Sequence, residues 1–257
     1  MTVLKPYPRT YRMFEDGTYS NGGEDRYIYH PGFADEPLQH IRAFDLIQKD
    51  IIDLFDYVEP ADANENCFSF RIHSLILRLC VEFEDNAKAI LQENGFSKTN
   101  KSGNQVRMNI QDYKRLESTH FLSSYEVRLP NWSGQHADRF PFTDWKNGKD
   151  SLGWFEAYND SKHDRRSKFF QANFSNLMDA YTGLLVILTA QFGLHDYSPG
   201  PALLALEGSE DGFENPIGGY LRVKLPKAIP FNERYSFRWE DIKNDPNPFD
   251  KIDFTKI

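Results

Sequence analysis

Apolar residues recur at three- and four-residue spacing in several stretches of the chain, and this period predicts a helical core. In residues 37–58 the stripe is Ile41, Phe44, Ile47, Ile51, Leu54, Phe55 and Val58, with Lys49 and Asp53 opposite and Pro60 as the stop. Residues 69–94 repeat the pattern through Ile72, Leu75, Ile76, Leu79, Phe83, Ala87 and Ile90, and Asn94-Gly95 supplies a left-handed end. A third helix starts near Asp150 or Ser151 and carries Trp154, Phe155 and Tyr158 into a polar end at 159–166. The longest apolar helix runs from about 173 to 191, with Phe174, Leu177, Met178, Tyr181, Leu184, Leu185 and Leu188 on one face and Gly193 after it.

Between these helices the period changes. Residues 96–107 read as a polar loop, Asn109 caps a short helix with Ile110, Tyr113 and Leu116, and a strand follows at about 121–129. The aromatic stretch 130–150, with Trp132, Phe140, Phe142 and Trp145, has no regular period. Ser198–Pro201 reads as a turn, Leu221, Val223 and Leu225 alternate as a strand does, and Tyr235–Trp239 is placed as its hairpin partner. Turn pairs Asp16-Gly17 and Gly22-Gly23 mark an extended N-terminal arm expected to lie across the core. The prediction is a mainly α (α+β) fold: an antiparallel helical bundle with β-hairpin and long-loop additions. It is read as one domain over 1–257, divided into an arm (1–36), a helical core (37–193, with an insertion at about 118–149) and a C-terminal hairpin and tail (194–257).

Composition narrows the function classes. Hydrophobic residues at 40% and charged residues at 26% place the 257-residue chain with globular proteins rather than disordered ones. A net charge of -8 gives no global attraction to polyphosphates, so generic DNA binding is not expected and any nucleic-acid contact needs a local basic patch. Residues 1–12 lack the features of a signal peptide, and the apolar run 183–190 is far short of the roughly 20 residues that cross a bilayer. Cys67 and Cys80 have no zinc-ligand spacing around them and read as free thiols in a reducing cytoplasm.

Such a basic patch exists. Lys162, His163, Arg165, Arg166 and Lys168 crowd into seven residues of an acidic protein. On a helix continuing through them, Asn159, Lys162, His163 and Arg166 share one face. Arginine offers a planar fork and lysine a point charge to a phosphate, and an imidazole moves protons at neutral pH. The competing reading is that these cations complement a helix C-terminus and pair with acidic helices. A second candidate group is Arg78, Glu82, Glu84 and Lys88, in which Glu82 and Arg78 flank the buried stripe and are expected to support the basic segment through a Glu82–Arg165 or Glu82–Lys162 pair.

Other chemistry is weakly marked. The acidic loop Glu207, Glu210, Asp211 and Glu214 lacks the ligand spacing of a calcium loop. No phosphate loop, nucleophile elbow or metalloprotease motif occurs, so neither a cofactor nor a metal is expected. His40, His73, His120, His136 and His195 sit in no motif and read as core or surface residues.

The order FSFRIHSLILRLCVEFEDNAKAIL, YNDSKHDR, FFQANFSNLMDAYTGLLVIL over residues 38–192 resembles helical proteins of the HEPN-like superfamily. The resemblance implies a dimeric helical bundle that cleaves RNA without metal in toxin-antitoxin or phage defence, or that only binds RNA, a nucleotide or a protein. The superfamily's usual signature is an Arg followed four to six residues later by a His, and no Arg stands there before His163. The residues that match the related pattern are Asn159, Lys162, His163 and Arg165. They are the catalytic candidates, with Arg166 and Lys168 as phosphate ligands. The alternative is a noncatalytic, homodimeric interaction protein whose exposed aromatics Trp132 and Trp145 contact a partner.

Overall fold

The computed structural model describes residues 2–195, 197 and 211–257. Its helices are α1 (Pro37–Phe55), α2 (Phe70–Glu93), α3 (Ile110–Tyr113), α4 (Leu116–His120), α5 (Thr143–Lys146), α6 (Gly153–His163), α7 (Arg165–Lys168), α8 (Phe174–Phe192) and α9 (Trp239–Ile242). Strands β1 (Glu126–Arg128), β2 (Asp138–Arg139) and β3 (Arg222–Lys224) form a small antiparallel sheet in the order β2-β1-β3. No helix among the described residues is long and apolar enough to cross a membrane.

The periodic segments fold as their patterns require. Ser69 Oγ accepts the Ile72 N–H to start α2, Asn94 ends it, and Gly95 follows with φ +88°. Helix α8 is apolar nearly all round, so it is buried nearly all round, packed along α2 and against α1 and α6. Gly183 of α8 admits the Trp154 ring of α6, since a Cβ there would stand 3.0 Å from a ring carbon. That contact, with Phe83 edge-on to Trp154 at 5.1 Å, fixes α6 on the α2–α8 pair.

The arm crosses the core as expected. Tyr11 N–H donates to the Ala190 carbonyl at 2.9 Å, and Arg9, 1% exposed, reaches Glu93 (2.5 Å), Gln191 (3.0 Å) and the Asp35 carbonyl (2.5 Å). Beneath it His120 bonds to the Arg9 carbonyl through Nε2 at 3.0 Å and to the Thr119 hydroxyl through Nδ1 at 2.8 Å.

Three expectations need correction. The strand at 121–129 shrinks to Glu126–Arg128, because Phe121 takes a left-handed φ of 52° and residues 122–124 make a 3-10 turn. Strand β3 does not pair with 235–239. It pairs with β1, matching Val127 to Val223, and Val223 also exchanges backbone hydrogen bonds with Glu214 in an antiparallel bridge, so the expected hairpin with 235–239 does not form. Tyr235 instead bridges Val3 and Phe14, and the Tyr7 N–H donates to its hydroxyl across 228 positions of sequence. Trp132 and Trp145 are buried, Trp132 stacked on Phe174 and Trp145 against Phe142, so neither is an exposed partner contact. Cys67 is an exposed and Cys80 a buried free thiol. Ser198–Pro201, Glu207 and Glu210 lie outside the described residues, while Asp211 pairs with Arg128 at 3.1 Å.

Candidate functional site

Helix α6 begins where Asp144 accepts the Gly153 N–H at 2.8 Å, and its buried face carries Trp154, Phe155, Ala157, Tyr158 and Ser161. The adjoining face presents half-buried Asn159 and exposed Lys162 and His163. Lys162 Nζ donates to the Tyr158 hydroxyl at 2.8 Å and lies over that ring. Burial, ahead of the lysine's opposing pull, raises the Tyr158 pKa, so the phenol stays neutral beside the ammonium group.

The face opens into a cavity of about 250 Å³ whose far wall is Arg107–Ile110 with Tyr113, and whose floor includes Glu84 and Phe155. A capping box shapes that wall: Asn109 accepts the Gln111 and Asp112 N–H groups, and Asp112 accepts the Asn109 N–H. Lys98 adds an ion pair to Asp112 at 2.7 Å, which ties the loop at 98–106 to the same turn. Arg107 leaves this turn toward α2 and pairs with Glu84 at 3.0 Å, yet its side chain is 72% exposed. The hydrogen bond that Arg107 donates to Glu84 raises the Arg107 pKa, keeping the guanidinium charged. Glu84 also meets Lys88 at 3.4 Å. Arg107, Lys162 and His163 thus face one cavity with a single carboxylate at its floor, an arrangement suited to an anion.

The basic segment does not stay together. The helix breaks at Asp164 (φ -132°, ψ 55°), so Arg166 is not on the face of Asn159, Lys162 and His163, and α7 is a separate turn. Arg165 stacks over Phe70 at 5.5 Å and Lys168 pairs with Asp160 at 3.6 Å, which fits the structural reading for these two. Arg166 is exposed and has no ion pair among the described residues. Glu82 is not the acidic neighbour of α6. It lines a groove with Leu46, Leu77 and Val81 on the outer face of α1 and α2, and Arg78 engages Asp50 of α1. Two residues farther along α2, Glu84 points to the basic side. Sequence reading missed Arg107, Tyr113 and the role of Glu84, and only the Asn109 cap signalled an ordered turn beside them.

No protein-family model, no curated protein and no solved structure matches this chain.

Proposed function

We propose that the groove between α6 and the Arg107–Tyr113 wall binds a phosphoryl group of RNA or of a nucleotide. In this reading the chain is a HEPN-like protein of a stress or defence system, with α1, α2, α6 and α8 as its antiparallel bundle. The observation that carries it is the meeting of Asn159, Lys162 and His163 with Arg107 in one cavity. Lys162 and Arg107 hold the phosphate, Asn159 orients the imidazole, and His163 moves a proton if the bound RNA is cleaved. Arg166 lies three residues beyond His163 as an outer contact for a longer strand.

The test is RNA binding and cleavage, and nucleotide binding, with chelator present, by wild type, His163→Ala and Arg107→Ala, each checked for folding by circular dichroism. Arg107→Ala is expected to weaken binding by ~10-fold or more, the size of one charged hydrogen bond. Cleavage lost in folded His163→Ala with binding retained identifies a ribonuclease, and binding without cleavage identifies a binding protein. Wild type that neither binds nor cleaves any of a varied RNA and nucleotide set overturns the reading.

A second reading, a noncatalytic homodimer, is favoured by a different surface. Leu46 and Val81 are exposed along the outer face of α1 and α2, lining a groove of about 390 Å³. Sedimentation of Val81→Glu against wild type decides it: a dimer that dissociates supports this face, and a wild-type monomer removes it.

A further inference from the structure

Outside the α6 groove, the turn at 60–65 and the loop at 131–139 are stitched together by backbone. Ser133 N–H donates to the Pro60 carbonyl at 2.8 Å, and Asp62 N–H to the Ser133 carbonyl at 3.0 Å. The Asp62 carboxylate then accepts three donors from that loop: Trp132 Nε1 at 2.6 Å, Gln135 N–H at 2.7 Å and His136 N–H at 3.1 Å. Gly134, with φ +133°, makes the wrap possible, since a Cβ there would fall 2.2 Å from Asp62 Cγ.

The same wrap delivers His136 to two carboxylates. Its Nδ1 lies 3.0 Å from Glu65 Oε2 and 3.6 Å from Asp62 Oδ1, and one donor atom from each of the three residues falls within 4.8 Å of the others. From this geometry we infer that Asp62, Glu65 and His136 form a binding site for a divalent first-row transition ion of the zinc class. One imidazole and two carboxylates are a ligand set for such an ion, with a remaining position for water. Bond lengths of about 2.0–2.2 Å place tetrahedral donors roughly 3.3–3.6 Å apart, so small side-chain rotations bring these three to one ion.

Glu65 Oε1 takes Arg139 Nη2 at 2.7 Å, as a ligand's outer oxygen commonly does, which leaves Oε2 for the shared point. Asp62 is oriented by its three loop donors, two of which, Trp132 Nε1 and the His136 N–H, fall on Oδ1, the oxygen that faces His136 Nδ1, so an ion there would share that oxygen with them or displace one. His136, 58% exposed, keeps the site open to solvent. The ion would join the turn to the loop, and it shares no residue with the groove at α6.

Titration of the full chain, dialysed against chelator, with Zn2+ by calorimetry and with Co2+ by visible absorption tests the site. One saturable ion per chain is expected, with a Co2+ spectrum of a low-coordinate nitrogen–oxygen site. His136→Ala, which removes an exposed ligand, and Glu65→Gln should each weaken the affinity at least ~10-fold, while circular dichroism stays unchanged for His136→Ala. Absence of saturable binding, or binding untouched by His136→Ala, overturns the proposal and leaves the three residues as an ion pair at the loop rim.

Discussion

Two arginines each reach a glutamate of α2, Arg9 to Glu93 and Arg107 to Glu84, at 2.5 and 3.0 Å. Arg9 is 1% exposed and places Nε, Nη1 and Nη2 on separate acceptors, with its guanidinium also beside the Phe192 ring at 5.8 Å. Arg107 is held through one amino nitrogen and turns most of its fork to solvent. The first is a clamp between arm, α2 and α8, costly to desolvate and stabilising because each of its three guanidinium nitrogens has an acceptor. The second is a charge held in place with donors to spare, and such a charge is available to a ligand.

The largest effect that could break this contrast is Arg9→Ala, expected to cost about 3–5 kcal/mol in chemical denaturation, since Glu93 would be left half-buried without its partner. A loss under ~1 kcal/mol would show that the clamp is not one. Next comes pH. Burial lowers His120 to about 3, so between pH 6.5 and 3 the unfolded chain binds the proton and the folded chain does not. Stability should therefore fall as pH drops below 6.5, by up to about 1.4 kcal/mol per unit from this residue. His40, lowered to about 4 mainly by burial, acts in the same direction. Denaturation from pH 7 to 4 of wild type and His120→Gln checks this, the variant showing the shallower slope.

On the groove side, Asn109→Ala should cost ~1 kcal/mol by removing the cap, and it should also weaken anion binding because the Arg107 turn loosens. Smallest of all, Lys162→Ala should leave stability within ±0.5 kcal/mol, measured by thermal melting. A larger loss would return Lys162 to the structural reading.

How much of this was legible depended on how far apart the causes lie in sequence. Helices α1, α2 and α8 were readable from their 3.6-residue period, and the ends of α2 and α8 from Ser69, Asn94, Asn173 and Gly193, which are local signals; α1 has no side-chain cap and ends at Phe55, short of the expected 58. The candidate residues of α6 were readable as a cluster, but the break at Asp164 was not, since nothing in the KHDRR run marks it. Glu82 was chosen because it flanks the stripe with Arg78, and only the course of the chain at Arg107 shows that Glu84 is the one that faces the cations. The strand at 222–224 was visible, but its partner was misassigned to the nearest alternating segment when β1 lay almost a hundred residues earlier. Pairings of this kind, like Asp62 with His136, have no local signature.

The lacing of Tyr235 to Val3, Tyr7 and Phe14 has a consequence for how the chain is made. The arm is synthesised well before its docking partners in α8 and at 234–236. At about 5–20 residues per second, the arm waits on the order of ten seconds or more with Tyr7, Tyr11, Met13 and Phe14 uncovered. Such non-local closure is slow to form, so nascent chains should be held by chaperones over this interval, and the arm should become resistant to protease only after synthesis has passed residue 236.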